Sequence, residues 1–297
     1  MKYRINYERI DIIINQQFSG KSLADFLNHY YISEKTRNAL LNKKNILINR
    51  VPVESFELVL NKHDTLSIIT EEKEVDYPLA DKECQVVYED DFVYVAHKDA
   101  GIIIHDDETK DTLASQAALY QYNHNINAPV RYIHRLDKDT RGLVLFVKYP
   151  LFQPYFDEML KQRKISRSYL AITTGNGKIG QKFTFNQKIG KDRHINNRYR
   201  VSKTGKEALT KATIIDKYKD YLLFECKLFT GRTHQIRVHL SNSRHPIVND
   251  EIYGDPSADF KGMGLWAYKL TFHNPLTDEE ITVRDINNPD YRKFRNV

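Results

Sequence analysis

The sequence predicts an α+β protein: a large domain on a mixed, mostly antiparallel sheet with inserted helices, preceded by a small helix–helix–hairpin unit. Three observations predict it. From about residue 83 onward, strand-type runs succeed one another, among them "VVYEDDFVYVAHK", "GLVLFVK", "RSYLAITTG", "YLLFECKLF" and "LWAYKLTF", with few helical stretches between them. Before residue 70 the apolar spacing is helical and then alternating. Between the two, "EEKEVDYPLADKE" is charged, carries a proline and has no periodicity. The expected division is therefore 1–70, a linker over 71–82, and 83–297.

The small unit opens with a leader strand. "SLADFLNHYY" then sets Leu23, Phe26, Leu27 and Tyr30 on one helical face, and Ser33 is placed to cap a second helix, "SEKTRNALLNKKN". "ILINRVPVE" alternates as a strand that turns at Arg50-Val51-Pro52, and "DTLSII" supplies another. The charge here is lopsided: Lys35, Arg37, Lys43, Lys44 and Arg50 face a single nearby acid, Glu34. Charge alone reads as a solvated helix face.

In the large part, helices are expected over "LFQPYFDEMLKQRK" and from near Thr233. Glu89-Asp90-Asp91 reads as a hairpin turn between two strands. Cys84 and Cys226 are far apart and form no metal or redox motif, so they read as small buried hydrophobes of a reducing cytoplasm. No run is long enough to span a bilayer, and the N-terminus has no signal-type apolar core, which predicts a cytoplasmic protein without a membrane partner. The net charge of +6 suggests a polyanionic partner.

Three segments carry candidate chemistry. In "RYIHRLDKDTRGLVLF", Asp137 stands between Arg135 and Lys138, ahead of a turn with Gly142 and an apolar strand. Nearby cations keep a carboxylate ionised, and a persistent carboxylate beside a nucleic-acid surface is a candidate nucleophile. In "GRTHQIRVHLSNSRHPIVND", His234 and Arg237 lie three apart and share a helix face. His234 and His239 are five apart, unlike the four-residue spacing of a helical zinc site, so no metal is expected. Tyr169 sits in an alternating strand with Leu170 and Ile172 on the other face, as a core tyrosine or as one able to stack on an unpaired base.

Taken together these segments resemble the RluA family of RNA pseudouridine synthases. "HRLDKDTRGLVLF" resembles the family's catalytic motif, "GRTHQIRVHL…HPIVND" its arginine motif, and "RSYLA" its Lys-x-Tyr-x-Ala element; "YEDDFVYVAHKDAGIIIH", "GKEALT" and "FHNPLTDE" also fit. The resemblance spans roughly 83 to 290, and the N-terminal unit resembles the alpha-L RNA-binding motif that accompanies many members. The resemblance implies an isomerase that converts uridine to pseudouridine without cofactor or metal. Asp137 is then the catalytic carboxylate, attacking the uridine at the sugar or at the base. Arg237 is the arginine that pairs with it, and Tyr169 the tyrosine that packs on the flipped base. Arg135 fills the vacated stack. His134, Arg232 and His234 border the RNA, and Lys35, Arg37, Lys43 and Lys44 are the alpha-L contacts. The implied partner is RNA, ribosomal in preference to transfer RNA, and the chain is expected to act as a monomer. A non-catalytic RNA-binding or ribosome-assembly factor is the alternative; retention of Asp137, Tyr169 and Arg237 argues against it. Three turn positions depart from the family pattern: Arg141 stands where Ser is usual, Asp99 where Pro is, and Asn249 where Gly is.

Overall fold

The computed structural model describes residues 1–6, 8–70, 73–106 and 109–294. The first sheet has five strands, β1 (Lys2–Asn6), β2 (Arg9–Ile13), β3 (Ile46–Ile48), β4 (Val51–Pro52) and β5 (Thr65–Ile69), in the order β1-β2-β5-β3-β4. The leader is thus a two-stranded hairpin, where one strand was expected. The β3–β4 turn falls at Asn49 and Arg50, both with positive φ, one residue earlier than the sequence reading placed it. Alternation turns Ile10, Ile12, Leu66 and Ile68 inward. Helix α1 (Leu23–His29) lays Leu23, Phe26 and Leu27 on that face, with Tyr30 just beyond its end, and a reciprocal Ser22–Asp25 capping box fixes its start. Helix α2 (Glu34–Asn42) is capped by Ser33 as expected, and none of its side chains is fully buried.

The second sheet is mixed and mostly antiparallel, as expected. Its strands are β6 (Gln85–Glu89), β7 (Val93–Lys98), β8 (Arg141–Val147), β9 (Ser166–Thr173), β10 (Lys182–Phe185), β13 (Thr210–Tyr218), β14 (Tyr221–Leu228), β15 (Leu265–His273) and β16 (Glu280–Arg284). They run β10-β13-β14-β9-β15-β8-β7-β6, with β16 paired to β15. Helices α3 (Leu113–Asn123), α4 (Gln153–Lys161) and α5 (Gln235–Asn242) pack around it. A separate hairpin, β11 (Ile189–Lys191) with β12 (Tyr199–Val201), rests on α5 through Ile189 and Val238.

The parallel contact, between β15 and β8, pairs Trp266 with Arg141 and Ala267 with Gly142. Gly142 has φ +121°, and a Cβ there would lie 2.3 Å from the Ala267 carbonyl oxygen. Only glycine lets the chain leaving the Asp137 turn enter the sheet at this point. Beyond it β8 is buried on both faces, which explains its unbroken apolar run.

Residues 73–82 carry no helix or strand. They are tied down all the same: the Asp76 carboxylate accepts from Arg131 at 2.6 Å and from the Val130 N–H at 2.8 Å. The two sheets share apolar packing. One hydrophobic cluster includes Ile10, Phe26 and Ile68 from the first part with Phe92, Phe156 and Leu270 from the second, and the Tyr30 ring meets Phe152 edge-on at 5.5 Å. No helix among the described residues is long and apolar enough to cross a membrane.

Candidate active site

The turn after Leu136 sits at a cleft of 1030 Å³ between β9, the end of α4 and the loop before α5. Asp137 lies in its wall with its side chain 25% exposed. The Thr140 N–H closes the turn on the Asp137 carbonyl at 3.1 Å. Behind it the buried Lys98 ammonium donates to the carbonyls of Lys138 (2.7 Å), Ile102 (2.7 Å) and Asp99 (2.9 Å). Burial lowers the Lys98 pKa to about 8, against the pull of Asp139, Asp137 and Asp99. One cation therefore joins the Asp137 loop to the loop after β7. Lys98 was not expected at the site; the one signal for it is a lysine closing an apolar strand.

Arg237 reaches Asp137 from a hundred residues away: its Nη1 donates to Oδ2 at 3.2 Å. The opposite edge of the guanidinium is held by Asp250, Nε to Oδ2 at 2.7 Å and Nη2 to Oδ1 at 2.8 Å. Asp250 is itself fixed by the N–H groups of Ile252 and Tyr253, and the Tyr253 ring lies 5.2 Å from the guanidinium carbon. Burial works against the Arg237 charge, but Asp250 and then Asp137 hold its pKa above the ordinary value. A bidentate partner on one edge leaves the other edge aimed at Asp137. Tyr169 lines the same cleft, 4% exposed. Burial, with the Asp137 charge and against that of Arg167, pushes its phenol up to about 12, so it is neutral near pH 7.

Residues 92–242 match the model of the family "RNA pseudouridylate synthase", and the RNA pseudouridine synthase YhcT of Bacillus subtilis is 33% identical over 279 residues, 92% of this chain and 91% of that one. This chain belongs to the RNA pseudouridylate synthase family. As an RNA pseudouridine synthase it is an isomerase of uridine. The ribosomal large subunit pseudouridine synthase D of Xylella fastidiosa is 38% identical over 173 residues, 57% of this chain and 51% of that protein. The human RNA pseudouridylate synthase domain containing 1 shares the fold, with a TM-score of 0.57 and 23% identity over 73% of this chain and 90% of that one.

The synthase brings some expected residues to the cleft and leaves others elsewhere. Arg135 is exposed on its wall. His134, one residue back, is also in the cleft lining but is buried in its wall. Arg232 lines the cleft while its Nε donates to the Glu207 carbonyl at 2.8 Å. His234 is held by Tyr253, Nδ1 to the hydroxyl at 2.9 Å, and has a left-handed backbone, so α5 starts at Gln235, two residues past Thr233. Burial lowers the His234 pKa, which the Asp137 charge opposes. Both His239 ring nitrogens are engaged, by Thr210 and by the Gln187 carbonyl.

Lys35, Arg37, Lys43 and Lys44 are not on this cleft. Lys43 instead lines a second groove, of 720 Å³, between α2 and residues 124–129. Arg141 also lies off the cleft, its guanidinium beside Gly262. Asp99 turns outward to His97, at 3.5 Å. Asn249 takes the positive φ a glycine would take, and its side chain binds the Phe260 and Gly262 carbonyls and the Ser257 N–H, which glycine could not do. Asp250 and Tyr253 were missed as site residues. An acid in a turn has too many local uses for its sequence to announce a partner thirteen residues back.

Proposed function

We propose that this synthase isomerises uridines of large-subunit ribosomal RNA, with Asp137 as the catalytic carboxylate. The observation that carries the reading is the Arg237 fork, fixed by Asp250 on one edge and donating to Asp137 with the other. The uridine leaves its stack and enters the cleft, since its glycosidic bond is out of reach inside a helix. The Asp137 carboxylate adds to it, at the sugar or at the base, and the N1–C1′ bond breaks. The uracil turns over, C5 bonds to C1′, the C5 proton leaves, N1 takes up a proton, and the carboxylate is regenerated. Substrate and product are isomers, so the chemistry balances without a redox partner. Arg237 holds the carboxylate in one rotamer. The neutral Tyr169 ring packs on the uracil, and Arg135 fills the gap in the RNA.

RNA as the partner is supported by the cleft's charge: Arg135, Lys138, Lys161, Arg163, Arg167 and Arg232 line it, against Asp137 and Asp157. The hairpin arm adds Lys191, Arg193, Arg200, Lys203 and Lys206, all exposed. The ribosomal target rests on the relatives named for large-subunit RNA. Pseudouridine mapping of total RNA, with and without the protein, tests it. Asp137→Ala is expected to remove the same large-subunit positions as deletion while RNA binding persists. Activity surviving in Asp137→Ala would sink the mechanism; losses confined to transfer RNA would sink the target.

A further inference from the structure

The cleft wall holds two buried polar side chains whose bonding capacity is unused. Arg167 is 8% exposed, yet its side chain makes no hydrogen bond or ion pair with any described residue, and its enclosed Nε has no acceptor. His134 is 6% exposed, and both of its ring nitrogens are enclosed without partners. Burial, and then the Arg167 charge, lowers the His134 pKa to about 3, so the ring is neutral. Both line the cleft that holds Asp137 and Tyr169. Arg167 precedes Tyr169 by two residues on β9 and shares its face. Its guanidinium lies under Gly231, where a Cβ would stand 3.2 Å from Nη1 and 3.8 Å from Nη2.

An enclosed Nε without an acceptor is costly, while the two terminal nitrogens of Arg167 are not enclosed and stay available to a group in the cleft. The natural complement of a guanidinium is a group with two anionic oxygens. In RNA at neutral pH that group is the phosphodiester. We propose that Arg167 forms a phosphate subsite that seats the phosphodiester flanking the inserted uridine. The subsite rests on the reading that the cleft takes a flipped uridine; Arg167 acts as a positioning residue for it.

Binding of an oligouridylate, measured across a KCl series, tests the subsite directly. Arg167→Gln is expected to weaken binding about tenfold and to lower the log–log salt slope by about 0.7, the value of one single-strand phosphate contact. Its melting temperature without RNA should equal or exceed that of the wild type, because an enclosed Nε without an acceptor is removed. Arg167→Lys should keep the salt slope. Gly231→Ala, whose methyl would crowd the guanidinium, should weaken binding with the cation still present. In release of tritium from RNA labelled at uridine C5, Arg167→Gln should raise KM more than it lowers kcat. An unchanged salt slope, or a fall of several degrees in melting temperature, overturns the subsite and leaves Arg167 a packing residue. Absence of tritium release by the wild type would count against the proposed function, while the salt slope would still judge the subsite.

Discussion

The Asp137 corner and the surface of α2 use charge in opposite ways. At the corner, Arg237 is only 5% exposed and touches two carboxylates and an aromatic face, and its direction is set by contacts that can be listed atom by atom. On α2 no side chain is fully buried, and Lys35 on it and Lys44 just past its end stand in solvent. Desolvated charges held by neighbours act through position, and losing one leaves another unpaired. Solvated charges act through their sum, are screened by salt, and replace one another. The difference teaches that substitutions at the corner should be severe and specific, and those on α2 mild and additive.

The sharpest way to break this contrast is Asp250→Ala. It frees the rear edge of Arg237, and pseudouridine formation is expected to fall about a thousandfold, with a loss of about 3 kcal/mol in denaturant unfolding. A loss under tenfold would mean that Asp250 does not aim the arginine. Next comes Arg237→Lys, which keeps the charge but not the fork. The expected cost is about a hundredfold in kcat, with RNA affinity within about twofold. Equal activity would reduce the corner to simple charge.

A third test uses acid. The His134 pKa is lowered from 6.5 to about 3, chiefly by burial. The unfolded chain therefore binds this proton first as pH falls. The stability it contributes is whole above about pH 6.5 and is lost progressively toward pH 3. His134→Gln should flatten the fall in unfolding free energy between pH 7 and pH 4 by about 3 kcal/mol. An unaltered pH profile would place the imidazole in water and weaken the picture of an enclosed wall. The smallest effect belongs to α2: Lys35→Ala should change RNA affinity less than about threefold at moderate salt. A hundredfold loss there would show a positional contact and erase the contrast.

The sequence made much of this visible, unevenly. The apolar run of β8, the inward face of α1 and the Ser33 cap follow from spacing and residue type, because these signals act within a few residues. The meeting of Asp137 with Arg237 spans a hundred residues, and only the resemblance of two motifs to one family connected them beforehand. Asp250 was invisible because its partner lies across a helix and a turn. His134, expected to border the RNA, is in the cleft lining but buried in its wall beside the exposed Arg135. The β11–β12 arm went unread because "KFTFNQKI" looks like one strand; its two halves belong to different sheets.

The apolar cluster running from Ile10 to Val283 bears on how the chain can be cut. Tyr30 fills the space beside Phe152 and Tyr155, so removing the first seventy residues would strip those rings of cover. A truncated catalytic half would carry a sticky scar instead of a native surface, and its solubility would suffer before its chemistry did. The shared core also ties the two parts into one melting unit, and calorimetry of the intact chain should record a single peak. For this synthase, the boundary that is easy to draw on paper is a poor place for scissors.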